Sequence, residues 1–491
     1  MLLKELLGKD FVNFRKNDYF ENLQFRKVCC DVEKVQNGDL YFCLTHNDEK
    51  ALTRCEKALE KGAAAVVSDL SLPIWKAVQV ADVRGTFARA CANFYQHACD
   101  DLKIVGITGT NGKTTTSHVV AEMLKRNGRK VGVIGTNGVF YDGKKFDCPL
   151  TTPDADFLHK TFLDMKNAGM EYVVMEVSAH AIDQKRIDGI KFELGVLTNV
   201  TQDHLDYFDN LQNYEATKLS FFTPDHIKKG VVCADDESAR KLLEKCDVPL
   251  VSYGLCSPSD AFAIDVCCTI NGSRFTANIC DDVVEIRTNL IGNYNVENSL
   301  AALCVCQSLG LGGEELARGL NYINPVEGRF NVINFSGKHV VIDFAHSPDG
   351  LMNVLKTARG LTDKKLFVVF GCGGNRDKGK RPQMGAIAEK FADYVCLTDD
   401  NPRLECSQDI ISDIEKGMKK PHFIESDRSK AIVKMINLAK HGDIVLIAGK
   451  GAEKYQEIGT EKHPYNDFDV VYQHFKDLNP ERKTGREKYD C

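Results

Sequence analysis

IVGITGTNGKTTT, residues 104–116, decides the fold. Apolar β-branched Ile104, Val105 and Ile107 enter a Gly/Thr/Asn loop, and beyond Thr114 the residues Val119, Val120, Met123 and Leu124 recur at helical spacing. The pattern predicts strand, loop, helix. Gly109 and Gly112 let the loop turn backbone N–H groups toward a phosphate, Lys113 can reach the terminal phosphates, and the Thr114 hydroxyl is placed to ligate Mg²⁺. A nucleoside triphosphate is the expected ligand. The strict Gly-x-x-x-x-Gly-Lys-Thr form wants a glycine where Ile107 stands, so a plain motif scan could miss the loop.

Outward from this loop, a strand at 131–134 follows at the short spacing of a βαβ unit in a parallel sheet. The next strand, 172–175, ends in Glu176, Ser178 and His180. Ligands of open α/β sheets lie at the carboxyl ends of strands, which makes Glu176 a candidate Mg²⁺ ligand. A further strand at 194–197 runs into Asp203-His204-Leu205-Asp206. Thr151 and Thr152, next to Pro153, are either ligand-facing hydroxyls or the N-cap of the helix that follows. Short strands with Gly and Ser turns from 251 to 287 predict a β-ribbon appended to this region.

On the amino-terminal side, a strand at 40–44, a helix at 51–61 and a strand at 63–67 form a small α/β unit with no catalytic constellation. His46, Asp48 and Glu49 read as loop surface, and after a helix at 86–97 Asp100-Asp101 marks a domain boundary. On the carboxyl-terminal side, strands at 340–342, 366–370, 394–397 and 444–448 alternate with helices and predict a Rossmann-like parallel unit. Its glycine-rich 371–374 stretch lacks Gly-x-Gly-x-x-Gly, so a dinucleotide site is not expected.

A chain of 491 residues suggests about three domains of ~150 residues each. The net charge of -6, with Lys and Arg scattered, gives no support to nucleic-acid binding. The N-terminal MLLKELLGKDF lacks the apolar core of a signal peptide, and no apolar run approaches the ~20 residues of a membrane span, so a cytoplasmic protein is expected. The 19 cysteines never form a Cys-x-x-Cys pair and read as free thiols in a reducing compartment.

ITGTNGKTTT, MEVSAHAI, TNVTQDHLDYF, YEATKLSFF and GNYNVENSLAA, in this order and spacing, resemble the Mur ligases, which build the peptidoglycan stem peptide, and the likeness runs from about residue 104 to 469. It implies an α/β fold of three domains: a small N-terminal UDP-binding domain (1–101), a central P-loop mononucleotide-binding domain with a parallel sheet (102–327) and a C-terminal Rossmann-like domain that binds an amino acid (328–491). It further implies that Gly109, Thr110, Asn111, Gly112, Lys113, Thr114 and Thr115 cradle the phosphates of ATP, that Thr114 and Glu176 hold one Mg²⁺, and that His204 serves a second. Lys218 matches a family lysine that is carbamylated and ligates that second metal; Lys113, Glu176, His204 and Lys218 form the implied catalytic set. Asn295 and Asn298 resemble adenine-side residues, though from the residues alone they could equally be helix caps. Arg329, at the Glu327–Phe330 hinge, Asp343 and His346 match further nucleotide contacts, and Thr151, Thr152, Ser178 and Arg186 match positions that hold the UDP-muramoyl dipeptide.

GCGGNRDKGKRPQMG (371–385) and DDNPRLE (399–405) resemble the branch that adds meso-diaminopimelate. The far end of that amino acid carries a carboxylate beside an ammonium. Arg376 and Arg403 can bind the carboxylate, and Asp400, Asn401, Glu453 and the Gly449 carbonyl can accept from the ammonium. A buried arginine pair left empty would reject lysine. The implied activity is ATP-dependent amide formation between UDP-N-acetylmuramoyl-L-alanyl-D-glutamate and meso-diaminopimelate through an acyl phosphate, by a monomer without nucleic-acid or membrane partners. L-lysine or lanthionine as the amino acid, a folylpolyglutamate synthetase-like ligase and a non-catalytic ATP-binding scaffold are the alternatives. Two departures stand out: Asp31-Val32-Glu33 replaces the usual Asp-Ser-Arg, and Ala452 stands where the family has histidine in Gly-Lys-Gly-His-Glu.

Overall fold

The computed structural model describes residues 2–10, 18–280 and 282–478. Residues 479–491 of the expected third domain, 1 and 11–17 of the first, and 281 of the ribbon lie outside it. Four sheets account for the strands. The first is a small parallel one of Val28–Cys29, Leu40–Phe42, Ala65–Ser68 and Ala77–Gln79, paired in chain order. Asp48 and Glu49 open the helix Asp48–Glu60 behind it, capped by the Asn47 side chain, rather than lying in a loop.

The second sheet has 11 strands and is organised around Lys103–Thr108. Val105 and Ile107 face the cluster that contains Val119, Val120, Met123 and Leu124 of helix Lys113–Arg126, whereas Ile104 faces the opposite cluster, as a period of two requires. Lys103–Thr108 lies between Tyr172–Glu176 and Phe192–Leu197, both parallel to it, and Val131–Gly135 is one strand further out. The consecutive strands 103–108 and 131–135 are therefore not neighbours; the later strand 172–176 sits between them.

The expected ribbon is also placed differently. Ala261–Thr269 pairs in parallel with Leu250–Gly254 before turning into the antiparallel Gly272–Ile279 and Asp282–Thr288, so the ribbon is a continuous wing of the main sheet and not an appendage. Phe275, Ala277, Ile279 and Ile286 from that wing join the same core as helix Asn293–Ser308, which explains the continuity: the wing has an apolar face to bury.

The third sheet runs Asn331–Phe335, Lys338–Asp343, Ile444–Ala448, Leu366–Phe370, Tyr394–Leu397 and Phe423–Ile424, parallel except for the first pair. A separate hairpin, Tyr455–Ile458 with Glu461–Pro464, is tied to the loop after Tyr394–Leu397 by an isolated bridge between Arg403 and Ile458. Beneath these strand ends the fully buried Arg428 makes a two-point ion pair with Asp467 (both 2.8 Å) and donates to the carbonyls of Ala448 (3.0 Å) and Asp399 (3.5 Å).

No disulfide joins the cysteines among the described residues, and no described helix is long and apolar enough to cross a membrane.

His159 on helix Ala155–Asn167 is 1% exposed, and neither ring nitrogen has a hydrogen-bond partner. Burial, with the His97 charge adding, pushes its pKa down to about 3. The unfolded chain titrates near 6.5, so it binds more protons than the folded one between these values, and stability falls as pH drops through that window. Urea titrations at pH 7 and pH 5 should show this loss, at most about 1.4 kcal/mol per pH unit, and His159→Leu should flatten it. An unchanged slope in that variant would assign the dependence elsewhere.

Candidate active site

The loop after Lys103–Thr108 is glycine-rich because other chain segments come too close for a side chain. Gly109 has φ +146°, and a Cβ there would lie 1.9 Å from Thr198 Oγ1; Gly112 has φ +87°, and a Cβ would lie 2.4 Å from Asn298 Oδ1. The loop is lashed to the end of Phe192–Leu197: Thr110 N donates to Asn199 O (2.8 Å), Asn111 N to Asn199 Oδ1 (2.9 Å) and Thr201 N to Thr110 Oγ1 (2.9 Å). Helix Lys113–Arg126 starts here without a side-chain cap, leaving its first N–H groups for an anion.

Two lysines meet at this loop. Lys113 Nζ donates to Gly109 O (2.7 Å) and Thr110 O (2.9 Å), and Lys218 Nζ donates to the same Gly109 oxygen (2.8 Å). Lys218 is 1% exposed and lies over the Tyr214 ring at 4.6 Å. Burial lowers its pKa well below the usual lysine range, the Lys113 charge adds to this, and Asp203 opposes it. Burial lowers the Lys113 pKa as well.

Glu176, at the end of Tyr172–Glu176, is buried and accepts from Thr114 Oγ1 (3.0 Å), Thr136 Oγ1 (3.1 Å) and Thr136 N (2.9 Å); Arg329 Nη2 donates to Thr114 Oγ1 (3.1 Å). His204, in a left-handed backbone conformation, has Nε2 3.6 Å from Asp203 Oδ2, which lies 3.9 Å from His346 Nε2. Burial pushes the Asp203 carboxyl up, but His346, His204 and Lys380 outweigh it and hold the pKa at about 2. Asp203 was not among the expected site residues, although it stands beside His204 in the motif. The His180 ring packs edge-on against His204 at 4.9 Å, and burial drives its pKa down to about 4, with His204 and Arg186 adding.

Thr110–Thr115, Glu176, His204, Lys218, Asn298, Arg329, Asp343 and His346 all line one cavity of about 330 Å³, which Thr151 and Ser178 also reach. Gly109 and Asn295 are not among the residues that line it. Asn295 donates to Ile291 O and accepts from Asn298, and neither asparagine caps the helix, whose cap position is Gly292. Both oxygens of Asp343 are taken by backbone, accepting from Phe330 N and Ala345 N (2.7 Å each), and Arg329 lies over the Phe344 ring at 4.5 Å. A second cavity, of about 920 Å³, shares the wall of Thr114, Thr136, Glu176, Arg329 and Phe344 and extends to Glu453 and Tyr455.

The N-cap of Ala155–Asn167 is Asp154, so neither threonine caps it. Thr152 is fully buried and bonds its own chain, donating to Glu176 O (2.8 Å) and accepting from Ser178 N (2.9 Å). Arg186 Nη1 donates to Thr152 O (2.8 Å), so of these residues Thr151, 3.1 Å from Thr136 Oγ1, and Ser178 face the cavity. In the first sheet's loop, Asp31 caps the turn Val32–Lys34, and Glu33 pairs with Lys57 and Lys61.

The expected buried arginine pair is not formed. Arg376 is 54% exposed and approaches Asp206, at 3.9 Å, while Arg403 already pairs with Glu457 (2.8 Å) and donates to Gly374 O (2.8 Å). Asn401 and Glu453 are likewise engaged: the fully buried Lys450 Nζ donates to Asn401 Oδ1 (2.8 Å) and Glu453 Oε2 (2.9 Å). Sequence reading missed Lys450, although its i,i+3 spacing from Glu453 was visible. Asp400 Oδ2 is buried without a hydrogen-bond partner, and the left-handed Gly449 makes room for it: a Cβ at Gly449 would lie 2.5 Å from that oxygen. Among the described residues no three His, Cys, Asp or Glu side chains form a metal cage; the hard oxygen donors near the loop include Thr114, Glu176 and Asp203.

Comparison with known proteins matches residues 107–306 to the Mur ligase middle domain and 328–451 to the Mur ligase glutamate ligase domain. A UDP-N-acetylmuramoyl-L-alanyl-D-glutamate--2,6-diaminopimelate ligase of Clostridium acetobutylicum is 36% identical over 97% of this chain and 100% of its own length. A solved structure of a ligase of that name superposes with a TM-score of 0.71 at 30% identity, covering 97% of this chain and 99% of that one. A MurF ligase from Thermotoga maritima, in complex with ADP, shares the fold (TM-score 0.62, 20% identity, 93% and 98% covered).

Proposed function

The chain belongs to the Mur ligase family, and from that premise we propose that it joins meso-diaminopimelate to the D-glutamate of UDP-N-acetylmuramoyl-L-alanyl-D-glutamate, with ATP as phosphate donor. The observation that carries this reading is the shared wall: Thr114, Glu176 and Arg329 separate the loop cavity from one that reaches Glu453 in the amino-acid loop. A phosphoryl group bound at the loop stands one side-chain layer from an amine bound beyond it. In the proposed reaction the γ-carboxylate takes the γ-phosphoryl group and ADP leaves. The diaminopimelate amine then attacks the acyl phosphate, and phosphate is expelled.

Lys113 and the open start of helix Lys113–Arg126 stabilise the charge that develops on the transferring group. Thr151 and Ser178 orient the acceptor, and Asp400, with its unpartnered oxygen, receives the distal ammonium. Arg403 faces the distal carboxylate. Mg²⁺ fits the donor set: Thr114 and Glu176 offer hard oxygens, and Lys218 is a buried amine held beside another cation, an arrangement that favours the neutral amine from which a carbamate forms. With Lys218 carbamylated, its carboxylate and His204 would hold a second ion. Such ions neutralise charge on the phosphates. The division at 101/102 and 327/328 belongs to the same proposal, assigning the UDP moiety, ATP and the amino acid to successive domains, with hinge closure excluding water from the acyl phosphate.

The test is phosphate release by the purified protein, with product mass as a second readout. Release should require ATP, the UDP-muramoyl dipeptide and a diamino acid together, and meso-diaminopimelate should outperform L-lysine. Release that needs neither the dipeptide nor the amino acid would overturn the reading.

A further inference from the structure

Glu457 has no part in the reaction described above, yet it touches the residue assigned to the distal carboxylate. It lies on the hairpin strand Tyr455–Ile458, and its Oε2 accepts from Arg403 Nε at 2.8 Å. Arg403 Nη1 is taken by Gly374 O at 2.8 Å. The guanidinium is thus clamped on two sides, and part of its charge is already matched. Lys462, opposite Glu457 in the hairpin register, lies over the Tyr455 ring at 4.2 Å instead of pairing with the carboxylate.

The side chains of Arg403 and Glu457 are 21% and 25% exposed, so the pair sits where Coulomb interactions are only partly screened. A site that binds a carboxylate through an otherwise unpartnered buried arginine rejects ligands lacking that group, because the arginine is then left desolvated and unpaired. Here it is never left unpaired.

We infer that Glu457 sets how strictly the amino-acid site demands a distal carboxylate: it competes with that carboxylate for Arg403 and satisfies Arg403 when a ligand has none. The inference rests on the proposed function. Its physical content is a trade. Glu457 repels the diaminopimelate carboxylate and removes the penalty against lysine, so the two substrates are drawn closer together than Arg403 alone would hold them.

The hairpin does not depend on this side chain for its position. Arg403 N donates to Glu457 O (3.1 Å), Gly459 N donates to Arg403 O (2.8 Å), and Glu457 N donates to Asn401 Oδ1 (2.9 Å). Glu457→Gln keeps an acceptor for Arg403 and removes the charge, and Glu457→Ala removes both.

The experiment is steady-state kinetics of the full chain and both variants with ATP, UDP-muramoyl dipeptide and either meso-diaminopimelate or L-lysine. The kcat/KM ratio of diaminopimelate to lysine should rise in both variants, roughly tenfold in Glu457→Ala, through a lower KM for diaminopimelate in each and a higher KM for lysine in Glu457→Ala, where Arg403 loses that acceptor. A purely structural role would slow both substrates together and leave the ratio unmoved, and an unmoved or smaller ratio overturns the inference. If the unmodified protein joins neither amino acid to the dipeptide, the proposed function fails and takes the inference with it. An active parent with an unmoved ratio sinks the inference alone.

Discussion

Replacing Lys218 with alanine is expected to lower kcat by roughly 10²–10³-fold, the scale set by removing one preorganised charged group from a transition-state site. The expectation comes from where the amine is. It is 1% exposed, has its hydrogen bond to the carbonyl that also receives Lys113, and has a pKa driven well below the usual lysine range by burial. An ammonium in that position contributes little to holding the fold, since it must be desolvated beside a like charge. The melting temperature of the variant should therefore hold or rise while turnover collapses. A short carboxylate such as acetate, added to the variant, should restore part of the activity if the lysine acts as a carbamate. Intact mass and electron density of the parent give the independent readout. An unmodified lysine in a fully active parent, or wild-type turnover in the variant, would defeat the proposal.

Breaking the Arg428–Asp467 pair is expected to cost about 3–5 kcal/mol, read as a drop in the urea midpoint of Arg428→Ala. Both side chains are fully buried, so removing the guanidinium strands a carboxylate away from water, with Tyr465 (3.0 Å) as its remaining side-chain donor. The carbonyls of Asp399 and Ala448 lose their donor as well. These lie directly before Asp400 and Gly449, so the KM for the amino acid should rise more than the KM for ATP. Replacing both partners together, as Arg428→Met with Asp467→Leu, should recover most of the stability, because no buried charge is then left alone. A loss below about 1 kcal/mol in the single variant would mean that water reaches the pair.

What the sequence made legible was local. The strand, loop and helix at 104–116 form within a residue of where periodicity predicts, because apolar spacing and the Gly-Lys-Thr-Thr run are contiguous signals. Part of the nucleotide set converges for a related reason: Gly109 to Gly112 and Glu176 follow or close parallel strands of the 11-stranded sheet, and the carboxyl ends of parallel strands share one edge. Pairings across long separations stayed hidden. Nothing near Arg403 indicates that Glu457, 54 residues on, already occupies it, and nothing near Asn401 points to Lys450, 49 residues on. Thr152 read equally well as a cap or a ligand residue; its hydroxyl bonds to Glu176 O and Ser178 N, 24 and 26 residues away. Periodicity also cannot say that the ribbon continues the main sheet, since that depends on Ala261 finding Tyr253 across a turn.

The order of strands in the 11-stranded sheet bears on how the molecule comes into being as it leaves the ribosome. The antiparallel wing from Ala261 to Thr288 pairs near neighbours and can form as soon as it is made. Lys103–Thr108 cannot. Both strands that flank it, Tyr172–Glu176 and Phe192–Leu197, are synthesised later, and the loop it carries is anchored to Asn199 and Thr201. A nascent chain thus carries the whole GTNGKTTT run for some 85 residues of synthesis before its last anchor, Thr201, is made. The motif is complete at residue 116, but the binding loop is not held in place before residue 201.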